Sequence, residues 1–142
     1  GGYDRFKSGQ GMPEEWQMRA LELLGKYMYF DREKAEERVD FEKLGTIEMG
    51  NEFPGKAAHM SKYIAENKNA TLVFFTPPIL SYEVRAEVEV HSSGDYFDVV
   101  HAVHDIYHGE NPALVDKPAY IFHVKEVYNN SVTRNGFGQR MV

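Results

Sequence analysis

A lysine that follows a glycine at the start of a short predicted helix is the first group in this sequence suited to chemistry. It stands in the run Pro54-Gly55-Lys56, where the proline fits the first helical turn because its missing N–H is no loss there. Exposed backbone N–H groups, the positive end of the helix dipole and the ammonium of Lys56 together suit a phosphate. Arg85, on a neighbouring predicted strand, could add a bidentate contact. The alternative is a surface lysine, with Arg85 paired to Glu83 or Glu87.

Three histidines, His101, His104 and His108, form the second group. Their spacings of three and four residues place them along one flank of a predicted helix, with Asp98 and Asp105 close by. Metal ligation needs further ligands and groups that orient the imidazoles, and no established zinc motif is present. We therefore expect a helix face of exposed or half-buried histidines and no resident metal ion, with these residues as weak candidates for ligands.

Aromatic side chains are frequent in the predicted strands and either line a planar ring or simply fill the core. Phe74 and Phe75 lie in one continuous apolar run, and Tyr120 and Phe122 lie in another. The remaining members of the set are Tyr82, Tyr96, Phe97 and Tyr107. Aromatic residues in apolar strands belong most often to the core, and that is the expectation for this set.

The elements that must position these groups are clearest between Gly45 and Val90. The pattern predicts a short strand at Thr46–Met49, a helix from Pro54 to Ala65, a strand at Ala70–Phe75 buried on both faces and a strand at Tyr82–Val90. In the last of these strands apolar residues alternate with charged ones. We therefore expect a half-buried strand with a charged outer face.

The flanking segments complete the predicted fold. They predict a helix at Pro13–Tyr29, a solvated helix or loop at Asp31–Arg38, a hairpin of Val39–Glu42 with Thr46–Met49, a helix at Asp95–Tyr107, a core strand at Ala119–Val127 and a loop or tail at Tyr128–Val142. Residues 1–12 are glycine-rich and predict a flexible arm, so residues 13–142 form the predicted single domain.

Composition excludes several classes of function. A net charge of −6 without a basic patch argues against a general nucleic-acid or anionic-membrane binder. The absence of cysteine excludes disulfides and thiol chemistry. No segment resembles a signal peptide or an apolar membrane span. We expect a soluble, cytoplasmic domain.

Four central segments follow one another along the chain: Pro54-Gly55-Lys56, Glu66-Asn67, Leu72-Val73-Phe74-Phe75 and Val84-Arg85-Ala86-Glu87. Their order resembles the pyridoxamine 5′-phosphate oxidase-like superfamily of FMN-binding split β-barrels. The run Gly94-Asp95-Tyr96-Phe97 then falls where the family has a helix. The resemblance extends from Gly45 to Tyr128.

This resemblance implies an α+β, mainly β fold, a split β-barrel of about six strands with two to three helices. It also implies a homodimer that binds FMN and acts as an oxidoreductase or electron-transfer protein toward a small molecule. Lys56 and Arg85 match positions that hold the FMN phosphate in the family. The full implied cofactor-binding set is Met49, Gly50, Asn51, Gly55, Lys56, Phe74, Phe75 and Arg85, with no catalytic acid or base assigned.

The sequence departs from the family at several of these positions. Gly55 stands where members often have arginine, and Glu83, where glutamine is common, would repel a phosphate that it faced. The Ala-Thr-x-x-x-x-Gly-x-Pro pattern of the family's first strand pair is absent. Two alternatives follow: a flavin-free dimeric binding or structural module on the same barrel, or a metal- or haem-binding relative that uses the His101–His108 helix or His123.

Overall fold

The computed structural model describes residues 14–26, 32–47, 59–108 and 116–142. Within these ranges the helices are α1 (Glu14–Leu24), α2 (Arg32–Arg38), α3 (His59–Glu66) and α4 (Asp95–His108). The strands are β1 (Lys43–Thr46), β2 (Asn69–Thr76), β3 (Leu80–His91), β4 (Ala119–Asn129) and β5 (Gln139–Arg140). None of the described helices is long and apolar enough to cross a membrane.

The five described strands form one antiparallel sheet in the order β1-β4-β3-β2, with β5 paired to β4. Strands β2 and β3 form a hairpin in which Asn69 lies opposite Glu87 and Thr76 lies opposite Leu80. A single antiparallel sheet with four helices confirms the predicted α+β class. Closure into a split barrel and the homodimer stay predictions.

Strand β3 shows the predicted alternation of buried and exposed side chains. Val84, Ala86 and Val88 are buried, whereas Arg85 and Glu87 are exposed. Successive side chains of a strand point to opposite faces, so one face of β3 contributes to the core and the other carries charge. The period-two pattern is therefore confirmed from Val84 to Val88, whereas Val90, predicted on the same face, is exposed.

Strand β2 has the predicted extent, but the expectation that it is buried on both faces is wrong. The exposed fractions are 59% for Val73, 51% for Phe74 and 68% for Phe75. The order of the sheet explains the difference, because β2 lies at one edge and pairs with β3 alone among the described strands. A continuous apolar run does not distinguish a central strand from an edge strand whose apolar side chains face solvent.

The chain consists of two compact units. The first unit contains α1, α2 and α4, and in it α1 contacts α4. The Gln17 amide Nε2 donates a hydrogen bond to the Ile106 carbonyl oxygen at 2.8 Å. Helix α1 ends at Leu24 and is followed by Gly25 and Lys26 in π-helical conformation, while residue 13 and residues 27–29 of the predicted helix lie outside the described residues.

The second unit contains α3, β2, β5 and most of β3 and β4. Its buried apolar side chains are Ile64 of α3, Val84, Ala86 and Val88 of β3, and Ile121 and Phe122 of β4. Helix α3 ends at Glu66, and the side-chain oxygen of the next residue, Asn67, accepts a hydrogen bond from the Asn69 N–H at 3.0 Å. This turn directs the chain from α3 into β2.

The segment before β1 differs from the sequence prediction. Residues 39–42 are coil and turn, so the predicted hairpin of Val39–Glu42 with Thr46–Met49 is wrong. The Glu42 carbonyl instead accepts a hydrogen bond from the Val124 N–H of β4 at 2.8 Å. The charged run before it forms α2, which gives one helix more than the two to three predicted.

The segment after β4 is a loop tied closely to the start of β3. The Ser131 hydroxyl accepts a hydrogen bond from the Ser81 N–H at 2.9 Å and donates one to the Ser81 carbonyl at 3.2 Å. The Val132 N–H donates to the Ile79 carbonyl at 2.9 Å. A Cβ at Gly136 would overlap the Ser131 carbonyl oxygen, so this close approach of two backbone segments requires glycine.

Truncation of Phe122 tests the core of the second unit. Phe122 is 2% exposed, so Phe122→Ala should lower the free energy of unfolding by about 3–5 kcal/mol, because it leaves a cavity as well as removing apolar contacts. The matched control is Val99→Ala on α4, where a side chain 60% exposed should change stability by no more than about 0.5 kcal/mol. Urea unfolding measures both free energies of unfolding. Equal losses of stability in the two variants would contradict the assignment of Phe122 to the core.

Candidate cofactor-binding face

Arg85 is the implied phosphate ligand that the structure places most clearly. Its Nε donates to Glu83 Oε1 at 2.9 Å, and its Nη1 donates to Glu126 Oε2 at 3.3 Å. The guanidinium carbon lies 4.6 Å from the centroid of the Tyr128 ring. Arg85 is therefore held by two carboxylates and an aromatic ring, and its pairing with Glu83 agrees with the alternative weighed for it in the sequence.

The carboxylates of this cluster have further partners. Asn130 Nδ2 donates to Glu83 Oε2 at 3.3 Å, and the Tyr128 hydroxyl donates to Glu126 Oε2 at 3.1 Å. Arg140 of β5 forms an ion pair with Glu126 at 3.7 Å. We call these six residues, Glu83, Arg85, Glu126, Tyr128, Asn130 and Arg140, the Arg85 cluster. Its two arginines and two glutamates give it no net charge.

Pairing within the cluster shifts the acidity of both members of the central ion pair. The hydrogen bond from Arg85 holds the pKa of Glu83 below its usual value, with a smaller contribution from the Asn130 hydrogen bond. The same bond to Glu83 raises the pKa of Arg85. Both shifts favour the charged forms, so at neutral pH the cluster contains an intact ion pair.

The Arg85 guanidinium still has capacity for an external anion. An arginine side chain carries five N–H donors, and the bonds to the two glutamates use one on Nε and one on Nη1. The other donors have no hydrogen-bond partner among the described residues, and 51% of the side chain is exposed. Guanidinium N–H groups of this kind suit phosphate oxygens, although the two carboxylates reduce the electrostatic attraction.

The hairpin register decides which β2 side chains share a face with Arg85. Residues directly opposite in an antiparallel pair lie on the same face of the sheet. Val73 lies opposite Glu83, and Phe75 lies opposite Ser81, so both belong to the Arg85 face. Phe74 lies opposite Tyr82 and belongs to the other face. The structure therefore brings Phe75 and Arg85 to one face and separates Phe74 from them.

The other implied FMN contacts, Met49, Gly50, Asn51, Gly55 and Lys56, lie outside the described residues. The helix that should follow Lys56 is present as α3, which begins at His59. The placement of a lysine beside Arg85 thus stays a prediction from the sequence.

The histidines of α4 differ in their surroundings. His101 is fully buried, its ring centroid lies 4.2 Å from that of Phe97, and its Nε2 lies 2.8 Å from the Lys117 carbonyl oxygen. Because a carbonyl can only accept, Nε2 carries the proton. His101 therefore has a structural role, because it donates a hydrogen bond to the backbone carbonyl of Lys117, two residues before β4.

His104, His108 and His123 each lie beside another ring or a carboxylate. His104 Nδ1 lies 3.3 Å from Asp105 Oδ1, and the rings of His104 and His108 have centroids 5.0 Å apart. His123 Nε2 lies 3.0 Å from Glu89 Oε1, near enough for an ion pair when the imidazole is protonated but without hydrogen-bond geometry. Among the described residues, no group of three or more potential ligands is arranged to hold a metal ion.

Several members of the Arg85 cluster were not identified from the sequence. Glu126 and Tyr128 lie two residues apart on β4, and Asn130 follows at the same spacing. This period-two polar pattern could have indicated one face of a strand. The sequence does not indicate that this face lies beside Arg85, because that depends on β4 lying next to β3 in the sheet.

Comparisons with known proteins support the fold. No protein-family profile matches the sequence, and no curated protein matches it. The crystal structure of a tagged form of HupZ from Group A Streptococcus, at 1.70 Å resolution, is similar to this chain with a TM-score of 0.53 and 16% sequence identity. The similarity covers 72% of this chain and 70% of that chain. At this identity it shows a related fold, while membership of the FMN-binding superfamily stays a prediction.

Removal of Arg85 tests the central ion pair. In Arg85→Ala the pKa of Glu83 should rise toward the ordinary glutamate value, because its strongest hydrogen-bond donor is lost. In the parent protein, the stabilisation from this pair should be present above the ordinary glutamate pKa and lost as the pH falls through the lowered pKa. An NMR pH titration of the glutamate carboxyl carbons measures the shift, with Arg134→Ala as the control. An unchanged Glu83 titration would contradict the pairing.

Substitution of His101 separates a structural role from ligation. His101→Leu leaves the Lys117 carbonyl without its donor, so the free energy of unfolding should fall by about 1–3 kcal/mol. His108→Leu removes an exposed histidine from the same helix and should cost no more than about 0.5 kcal/mol. Thermal unfolding with and without added Zn²⁺ measures both effects. Zinc stabilisation of the parent that disappears in either variant would instead indicate ligation.

Proposed function

We propose that this chain binds FMN at the Arg85 face and acts as a homodimeric oxidoreductase or electron-transfer protein toward a small molecule. One observation carries the proposal: an exposed guanidinium and two exposed apolar side chains, Val73 and Phe75, share one face of the β2–β3 hairpin. A guanidinium suits a phosphate, and an apolar strand surface suits a planar ring. The segment resemblance supports this assignment, and the similarity to HupZ supports only the related fold on which it is placed.

In this proposal the described residues bind and orient the cofactor. Arg85 would contact the phosphate through the donors not used by its glutamates, and Tyr128 would hold the guanidinium plane in place. In flavoproteins of this kind the flavin ring supplies the redox chemistry, and the protein sets its position and surroundings. Lys56, at the predicted helix start, would be a second phosphate ligand.

The carboxylates beside Arg85 oppose the binding of a phosphate at this face. Glu83 and Glu126 would repel a phosphate, yet both ion pairs to Arg85 are solvent-exposed. Exposed ion pairs contribute little to stability, so they can rearrange when a doubly charged anion competes for the arginine. Removal of the arginine should therefore weaken FMN binding, whereas removal of the charge on a neighbouring glutamate should strengthen it.

The same neutral cluster favours a second candidate, the flavin-free dimeric module. Two of the N–H donors of Arg85 already form hydrogen bonds to the carboxylates of Glu83 and Glu126. In this candidate the role of Arg85 is structural, because these bonds connect β3 to β4 across one face of the sheet. In this alternative the chain is a binding or structural protein without a redox cofactor. The two candidates differ in whether FMN binds at all.

Titration of the purified protein with FMN, followed by quenching of flavin fluorescence, tests the proposal. Arg85→Ala should weaken binding at least about tenfold, because it removes charge-assisted hydrogen bonds to the phosphate. Glu83→Gln should strengthen binding several-fold, because it removes a repelling charge and keeps the side-chain shape. Arg134→Ala is the control and should bind like the parent.

Each outcome of this titration has a distinct meaning. Absence of FMN binding by the parent would support the flavin-free module and reject the flavin proposal. Binding that neither Arg85→Ala nor Glu83→Gln alters would show that the phosphate lies elsewhere. A parallel titration with hemin tests the haem alternative, in which a Soret band lost in His108→Ala or in His123→Ala would identify the ligand.

A further inference from the structure

Glu126 is the residue of the Arg85 cluster on which two arginines from different strands converge. Its Oε2 accepts a hydrogen bond from Arg85 Nη1 of β3 at 3.3 Å, and its Oε1 lies 3.7 Å from Arg140 Nη2 of β5. The Tyr128 hydroxyl also donates to Oε2, at 3.1 Å. One carboxylate is therefore surrounded by two guanidinium groups and a hydroxyl, all of them donors to which phosphate oxygens also bind.

The pairing of β4 with β5 explains why these groups converge. Tyr128 lies directly opposite Arg140 in the register of the two strands, so their side chains share one face of the sheet. Glu126 lies on that face as well, because it stands two residues before Tyr128 on the same strand. Arg85 comes from β3, the other neighbour of β4 in this region, and its guanidinium carbon lies 4.6 Å from the centroid of the Tyr128 ring. Each strand beside β4 thus contributes one arginine.

Arg140 has most of its donors available. Its Nε donates to the Val142 carbonyl oxygen at 2.9 Å, which orients the guanidinium. Its contact with Glu126 is an ion pair longer than a hydrogen bond, and 59% of the side chain is exposed. Within the described part of the chain, no hydrogen bond uses the N–H groups on its Nη1 and Nη2. A phosphate bound to Arg85 could therefore also contact Arg140.

The two glutamates of the Arg85 cluster differ in how firmly they are held. Glu83 accepts a 2.9 Å hydrogen bond from Arg85 Nε and a second bond from Asn130, and these bonds hold its pKa below its usual value. Glu126 has longer contacts to its arginines, of 3.3 and 3.7 Å. Ion pairs between exposed groups contribute little to stability. An anion that competes for Arg85 therefore displaces Glu126 more readily than Glu83.

We infer that Glu126 occupies, as an internal anion, the position that a ligand phosphate takes between Arg85 and Arg140. Arg140 is then a second phosphate-binding residue, and Glu126 is an intramolecular competitor that the phosphate must displace. The ligand class is a phosphate monoester, which carries close to two negative charges and three strong acceptor oxygens at neutral pH. The inference rests on the proposed function only in taking this monoester to be FMN.

The internal carboxylate also makes the site selective. A ligand carboxylate offers the two arginines no more charge than Glu126 does, and its binding carries the additional entropic cost of association. A phosphate dianion offers more charge and more acceptors, so it can replace Glu126. The site should therefore bind phosphate in preference to acetate at equal concentration.

Titration with inorganic phosphate, followed by the Nε–Hε NMR signals of arginine, tests this site without FMN. The signals of Arg85 and Arg140 should both shift, and acetate at matched ionic strength should shift them less. Glu126→Gln should lower the phosphate Kd at least about tenfold, because it releases both arginines. Glu87→Gln is the matched control. It removes the same charge from the same face of β3, and solvent screening should limit its effect to less than about twofold.

A double-mutant cycle separates displacement from simple repulsion. If Glu126 blocks the site by holding both arginines, the gain from Glu126→Gln should be at least about threefold smaller in the Arg140→Ala background. If Glu126 acts only through its charge, the gain should be equal in the two backgrounds. Circular dichroism should show every variant folded, because neither substituted side chain is fully buried.

FMN and riboflavin distinguish this inference from the proposed function. Arg140→Ala should weaken FMN binding at least about fivefold, because it removes charge-assisted hydrogen bonds to the phosphate. Binding of riboflavin, which lacks the phosphate, should not change. FMN binding that depends on Arg85 but not on Arg140 or Glu126 would overturn the inference and leave the proposed function standing.

The phosphate titration has equally distinct outcomes. Phosphate that shifts both arginine signals, in a parent that does not bind FMN, would support the site and reject the flavin proposal. Signals that move in neither the parent nor Glu126→Gln would overturn the inference. An equal gain from Glu126→Gln in the two backgrounds of the cycle would also overturn it.

Discussion

The pairing of β2 with β3 is the constraint on which the rest of this surface depends. The alternation of charged and apolar residues along β3 assigns one face to the core and the other to solvent. The register of the β2–β3 pair runs from Asn69 to Thr76 of β2. Because paired residues lie on the same face of the sheet, the alternation along β3 determines the face on which each β2 side chain lies. A shift of one residue would exchange the positions of Phe74 and Phe75 and would change what lies beside Arg85.

The same hairpin combines two kinds of surface that rarely lie together on a monomer. Arg85, Glu83 and Glu126 form a compact hydrogen-bonded group that is polar but, with Arg140, neutral. Next to it, the outward side chains of β2 form an uncharged apolar strip. Burial of a neutral hydrogen-bonded polar group by a ligand costs little free energy, and burial of apolar side chains is favourable. The cofactor proposal rests on this combination.

The histidines of α4 show that a sequence pattern compatible with metal ligation can belong to residues with a structural role. The spacing of His101, His104 and His108 is compatible with ligation on one helix flank. In the structure, His101 instead supports the backbone carbonyl of Lys117 from a fully buried position. The spacing correctly indicated a helix, but the role of the buried imidazole depended on a segment sixteen residues further along the chain.

Local patterns in the sequence determined much of the fold. The alternation from Val84 to Val88, the helical spacing of Asp95–Tyr107 and the apolar strand at Ala119–Val127 were predicted correctly, because each depends on near neighbours and on a single period. The α+β class follows from the same elements. The resemblance to FMN-binding split barrels comes from this central region, and the similarity to HupZ shows a related fold alone.

Tertiary structure alone decided which strand lies at the edge and which side chains meet. The apolar run of β2 reads as a buried strand, and only the sheet order β1-β4-β3-β2 leaves its side chains exposed. Glu126 and Tyr128 join Arg85 because β4 lies next to β3, a contact between residues about forty positions apart. Local propensity carries no information about such distant pairing, since strands pair according to the packing of the whole sheet.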